Sequence, residues 1–177
     1  MSQQEKKWPL EGVRVLDLGQ IYNGPYAGFL MAHAGADVIK LEPLHGEILR
    51  QRGGGVVPLS FAMLNTNKRG IAINLKDQIG KNILKDLVKK ADVLLENFSP
   101  DAMDRLGLGS DVLTKINPRL IYASGTGYGL SGPDKNNLAM DLTVQAIGGV
   151  MSINGPEDGP PMKTGLAICD FVGGVHL

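Results

Sequence analysis

The chain has 177 residues, 43% of them hydrophobic, and Lys plus Arg balances Asp plus Glu at 18 each, which suits one ordinary globular domain of about 100–200 residues. Neutrality gives no support for nucleic-acid or anionic-membrane binding, and a single Cys excludes an internal disulfide framework and a Cys-rich zinc site. The polar start Met1–Trp8 lacks a signal-peptide core, no run approaches a membrane span, and a reducing, cytoplasmic location is expected.

Val13–Leu18 is a β-branched apolar run, read as a buried strand. Asn23, Gly24 and Pro25 follow it. Pro fits the first turn of a helix, where its missing N–H would be unpaired anyway. A helix is predicted over Tyr26–Ala34, ending near Gly35, and a strand over Val38–Leu41, closed by Glu42 and Pro43. Such a βαβ unit implies a parallel sheet and a right-handed crossover. Gly46–Leu59, with glycines at 53, 54 and 55, reads as a mobile surface excursion. Gly70–Leu75 reads as a short strand. From Asp77 to Lys90, apolar residues at 79, 83, 84, 87 and 88 mark an amphipathic helix. Asp92–Leu95 is a strand. Ser99, Pro100 and Asp101 open another helix, and Ser110 opens a shorter one that Pro118 stops. Leu120–Ser124 is a strand, Met140–Val150 is helical, and Asn154–Pro161 is a loop. The expected fold is α/β, with a Rossmann-like, mainly parallel sheet and flanking helices.

The first βα turn, Gly19 to Pro25, is not a G-x-G-x-x-G loop, and Pro25 removes a backbone donor where a pyrophosphate would sit. Asn65, Asn67, Lys68 and Arg69 could hold phosphates or form a solvated turn. Asn97 and Phe98, at the end of a buried strand, suit a flat heterocycle, with core packing of Phe98 as the alternative. The histidines at 33, 45 and 176 lack metal-ligand spacing, so no metal is expected. Cys169 reads as a structural residue. Asp170 is a lone carboxylate inside the apolar run Leu166–Gly174. Keeping it ionised there is expensive, so it either caps a helix beginning near Phe171 or does chemistry. A helix N-terminus would lower its pKa. No helix-stop signal follows His176 and Leu177, so the chain reads as cut inside an element, as a fragment or as one part of a fold completed by another polypeptide.

These segments occur in this order in class III coenzyme A transferases. The matching stretches are Gly24–Pro25, Gly35–Glu42, Asn67–Arg69, Glu96–Phe98, Asp104–Leu108, Asn117–Tyr122, Gly148–Gly149, Gly159–Pro161 and Asp170. The chain resembles the relatives of formyl-CoA transferase and the carnitine CoA-transferase/bile-acid-inducible group over nearly its whole length. The resemblance implies the N-terminal part of a Rossmann-like large domain, with a small domain and a C-terminal return segment lying outside residues 1–177. It implies that the full-length form is an interlocked homodimer and that residues 1–177 alone lack turnover. It implies that Asp170 is the catalytic aspartate and that Lys68, Asn97, Phe98 and Arg105 hold the nucleotide end of coenzyme A. Coenzyme A and acyl-CoA are substrates, the other substrate is a carboxylic acid, and no permanently bound cofactor is implied. Tyr22 stands where some members have a Gln, Pro43 where some have an Arg, and Thr126 where one has a Lys.

The chemistry suits a carboxylate. Attack on a thioester by Ser would leave an ordinary ester, whereas a carboxylate gives a mixed anhydride that remains activated. Apolar surroundings keep water from the intermediate. The expected activity is CoA transfer between an acyl-CoA and a free carboxylic acid. The alternatives are an acyl-CoA racemase, which needs a second acid/base group that the His-free loop Gly132–Leu138 does not offer, and a non-catalytic CoA-binding fragment.

Overall fold

The computed structural model describes residues 7–52 and 57–177. Five parallel strands form one sheet in the order β3-β2-β1-β4-β5. They are β1 (Arg14–Asp17), β2 (Asp37–Glu42), β3 (Arg69–Ala72), β4 (Val93–Glu96) and β5 (Ile121–Ser124). The central strands β1 and β4 carry the apolar pairs Val15–Leu16 and Val93–Leu94 because both faces are covered. Every residue of β4 is buried.

Helix α1 (Asn23–His33) covers one face, packing Ala27 and Ala32 near Val15, Val38 and Leu95. Helices α3 (Gln78–Val88) and α5 (Ser110–Ile116) cover the other, where Leu84, Val88 and Leu113 meet Leu16 and Leu94. The α3 start is built as its sequence suggests, with Asp77 accepting the Ile79 N–H at 2.8 Å. The remaining helices are α2 (Leu59–Asn65), α4 (Ala102–Arg105), α6 (Asp141–Ile147) and α7 (Ile168–His176). The α/β class and the parallel sheet are as expected.

Three local readings change. The excursion read over Gly46–Leu59 carries a 3-10 turn, Ile48–Gln51, anchored by buried Leu49; its glycine run lies outside the described residues. Helix α2 was not foreseen. It is short, and its core contact rests on two side chains, Phe61 and Leu64. The helix read from Ser99 starts at Ala102 and has no side-chain cap, because Asp101 adopts a left-handed φ of 59°.

The chain steps outward from β1 to β3, then returns to place β4 on the other side of β1. The order therefore reverses between β1 and β4, the point where open parallel sheets bind ligands at their carboxyl ends. Beneath this point lies Asp17, fully buried. Its carboxylate accepts the Gly19 N–H at 2.8 Å and pairs with Lys68 at 2.7 Å and Lys40 at 3.8 Å. Lys68 also donates to the Pro25 carbonyl, and Lys40 to the Gly19 carbonyl. Burial pushes the Lys68 ammonium pKa down, against the pull of the Asp17 charge. Asp17→Ala leaves two buried ammonium groups without their counter-charge. It should destabilise the protein by about 3–5 kcal/mol, read as a lower urea midpoint.

Candidate active site

The loops after β1 and β4 meet at the switch point. The Asn97 side chain clamps them, accepting the Gln20 N–H at 2.6 Å and donating to the Gln20 carbonyl at 3.0 Å. Next in the turn, Ile21 sits at a φ of 60°. A β-branched residue there is strained, and Glu47 holds it by accepting its N–H at 2.8 Å. The turn also needs glycine. A Cβ on Gly19 would lie 2.6 Å from the Gly24 carbonyl carbon.

Helix α7 lies against α1. A Cβ on Gly174 would stand 2.5 Å from the Asn23 carbonyl oxygen, and one on Gly173 would stand 2.4 Å from the Asn23 amide nitrogen, so the close approach needs both glycines, one for the backbone and one for the Asn23 side chain. Phe171 packs on Tyr22 and Tyr26, with ring centroids 5.5 and 4.9 Å away. The Asn23 amide donates to the Asp170 carbonyl at 3.3 Å. This packing sets the first turn of α7 beside the β1 loop.

Asp170 does not cap that helix. It is the third helical residue, and no side-chain cap comes from the preceding Ala167. Asp141, at the start of α6, supplies the cap from outside. Its Oδ1 accepts the Cys169 N–H at 2.9 Å and the Asp170 N–H at 3.2 Å, while its Oδ2 accepts from Gln145 at 2.6 Å. The helix N-terminus was expected to lower the Asp170 pKa. Burial, and then the Asp141 charge, instead push it up to about 6. Burial and the same two carboxylates raise the Cys169 thiol pKa, which keeps it unreactive.

Asp170 faces open space on two sides. A cleft of about 610 Å³ runs between it and Tyr22, Arg52, Phe98 and Asp141. A second space of about 360 Å³ is lined by Asp170, Cys169, Asn23 and Thr126. Within it, the Asn23 Oδ1 and Thr126 Oγ1 atoms are buried without a hydrogen-bond partner among the described residues. A third cleft of about 630 Å³ opens at the ends of β1 and β2, between Pro43, His45, Lys76 and Phe98. Phe98 lines all three.

Of the residues singled out in the sequence, Asp170, Asn97 and Phe98 converge here. The Asn97 amide, however, is occupied by Gln20. Lys68 lies beneath the site, its side chain 1% exposed and held by Asp17. Neighbouring Arg69 pairs with Asp37, so this segment presents no phosphate cradle as it stands. Arg105 is exposed at the end of α4, donates to the Pro100 carbonyl at 3.1 Å, and lies outside the lining of the clefts. Sequence reading missed Asp141, Arg52 and Lys76. An acid in the first turn of a helix was visible at Asp141, but its capping of another helix 28 residues away was not.

Because the native pKa of Asp170 is raised from 3.8 to about 6, the folded chain keeps a proton that the unfolded chain has lost across that window. The contribution of this group to stability therefore falls as pH rises through it. Carboxyl ¹³C NMR should place the Asp170 midpoint near 6. Asp141→Asn keeps a cap acceptor and removes the charge, so it should move the midpoint down.

Among the described residues no helix is long and apolar enough to cross a membrane, and no three His, Cys, Asp or Glu side chains gather as metal ligands. Residues 10–177 match the model of CoA-transferase family III. Formyl-CoA:oxalate CoA-transferase of Streptomyces coelicolor is 48% identical over 171 residues, covering 95% of this chain and 42% of the relative. Succinyl-CoA:glutarate CoA-transferase of Homo sapiens is 39% identical over 172 residues, covering 95% and 39%. The crystal structure of a CAIB/BAIF family protein from Brucella suis superposes with a TM-score of 0.92 at 35% identity, covering 97% of this chain and 47% of that one. The chain thus spans about 40% of the length of the curated relatives it matches. With this match over almost all of its length, laid on the same fold, the chain belongs to CoA-transferase family III.

Proposed function

We propose that this chain carries the nucleophile of an enzyme that moves coenzyme A between an acyl-CoA and a free carboxylic acid. The observation behind this reading is the Asp170 carboxylate, placed by α7 at the switch point with open space on two sides and a pKa raised to about 6. In this mechanism an Asp170 oxygen attacks the thioester carbonyl, the C–S bond breaks, and CoA thiolate leaves a mixed anhydride. The thiolate attacks the Asp170 carbonyl and releases the donor acid, leaving CoA on Asp170. The acceptor carboxylate attacks that thioester, and the freed thiolate then takes the acceptor's carbonyl. New acyl-CoA departs and the Asp170 carboxylate is restored. No net proton or electron moves, so no further cofactor is needed.

Phe98 frames the adenosine, and the exposed Arg105 and Lys76 meet the phosphates. Asn97 and Lys68 serve from within, by fixing the β1 turn against which the ligand lies. The acids named for the relatives, oxalate and glutarate, are dicarboxylic, and a small dicarboxylic acid is the acceptor class proposed here. The working enzyme is a full-length, interlocked homodimer in the cytoplasm, whose remaining residues close the clefts.

In a full-length form, Asp170→Asn should fold normally and lose roughly 10³-fold or more in turnover. Hydroxylamine in the presence of acyl-CoA should modify Asp170 in the parent protein alone. Near-normal turnover in the Asn variant removes Asp170 from the mechanism. Loss of α-deuterium from the acyl-CoA without label entering from the free acid makes the enzyme a racemase. Arg105→Ala should raise KM for acyl-CoA about tenfold at low salt, the scale of one phosphate contact.

A further inference from the structure

Two arginines two residues apart have opposite surroundings. Arg50 is committed to the fold. It binds Glu42 through two hydrogen bonds of 2.6 and 2.8 Å, and its guanidinium lies 3.9 Å from the centre of the Phe61 ring. Arg52 has an anchored backbone and a side chain with no ion-pair partner among the described residues. Its N–H donates to the Leu49 carbonyl at 3.2 Å, closing the 3-10 turn. Its guanidinium is exposed and has no carboxylate partner among the described residues.

Arg52 lines the 610 Å³ cleft with Asp170 and Asp141, and no other Lys, Arg or His does so among the described residues. The turn that carries it is tied to the β1 loop, whose Ile21 also lines the cleft. Glu47, 2% exposed, caps the turn at the Leu49 N–H and accepts the Ile21 N–H from the β1 loop. The base of the Arg52 side chain is thus fixed relative to the nucleophile, while its end can reach into the cleft.

A dicarboxylic acceptor uses one carboxylate in the reaction and keeps the other ionised. Beside Asp141 and Asp170 that second charge is repelled unless a cation meets it. A guanidinium does so with two parallel N–H donors that match a carboxylate. We propose that Arg52 is the acid-specificity residue, binding the non-reacting carboxylate of a dicarboxylic acceptor; this rests on the transferase reading above.

The test compares full-length parent, Arg52→Gln and Arg52→Lys at saturating acetyl-CoA. The acceptors are oxalate, succinate and glutarate against propionate, butyrate and valerate. Arg52→Gln should lower kcat/KM for the dicarboxylates about 10²-fold and change the monocarboxylates by less than about threefold, within the small effects of exposed substitutions. KM for acetyl-CoA should not move, and Arg52→Lys should recover only part of the loss. Equal losses with both acid classes, no loss, or a raised KM for acetyl-CoA would each overturn the assignment. A parent that passes CoA to no acid overturns the transferase reading itself, a result separable from the others because it appears before any substitution.

Discussion

The end of the central strand depends on one carboxylate that water does not reach. Asp17 holds the first backbone N–H of the β1 turn and pairs with two lysines, one from β2 and one from the segment before β3. Through Lys68 it also reaches the carbonyl of Pro25 and the side chain of Asn65, and so ties the start of α1 to the end of α2. Even the gap above it is reserved, since a Cβ on Gly28 would lie 2.6 Å from an Asp17 oxygen. Buried ion pairs of this kind contribute little net stability, because desolvation offsets attraction. What they contribute here is geometry. Each ammonium has oxygen partners in one place only, so the turn, the helix and two flanking segments share one arrangement.

The site is built upward from that fixed turn. Asn97 ties β4 to Gln20, Glu47 ties the 3-10 turn to Ile21, and α7 docks through two glycines onto Asn23. The strain at Ile21 persists because its neighbours over-determine it. Three separate stretches of chain are thereby brought to one cleft without a metal or a disulfide among the described residues. The packing also fixes where Asp170 stands on its helix. A helical residue whose backbone touches another helix has less freedom to drift than one on a loop, and displacement of about 1 Å can cost 10²-fold in rate.

Much of the fold was legible because its signals are local. Val15, Leu16, Val93 and Leu94 announce inner strands by being apolar without alternation, and Asp77 announces a helix that starts at the next residue. Asp170 stood out because a charge in an apolar run has few uses. Other features were hidden because their causes are distant in sequence. Lys68 looks like a surface cation until Asp17, 51 residues earlier, is placed beside it. Asn97 looks like a ligand-binding amide until Gln20, 77 residues away, takes both of its hydrogen-bonding groups. Helix α2 was missed because seven residues with two buried side chains give too short a period to read. Arg50 and Arg52 are indistinguishable as letters; only the position of Glu42 separates them.

On the proposed reading, the raised pKa of Asp170 suits a carboxylate that serves as both nucleophile and leaving group. An ordinary aspartate is fully ionised at neutral pH but weakly basic, and so weakly nucleophilic. With its pKa near 6, Asp170 is still about nine-tenths ionised at pH 7 while being more basic. Burial, and then the charge of Asp141, achieve this without blocking the carboxylate, because Asp141 binds the backbone N–H groups of α7 and not the Asp170 side chain. The same arrangement has a cost. Two N–H groups that could have stabilised an oxyanion at the start of α7, those of Cys169 and Asp170, are already engaged. In the proposed reaction, oxyanion stabilisation worth about 3–4 kcal/mol per donor comes from other groups facing the cleft. The open sides of that cleft leave room for them, and a cover that supplied donors would also exclude the water that hydrolyses an anhydride. Positioning and charge are thus divided between two elements, α7 carrying the carboxylate and α6 the neighbouring charge.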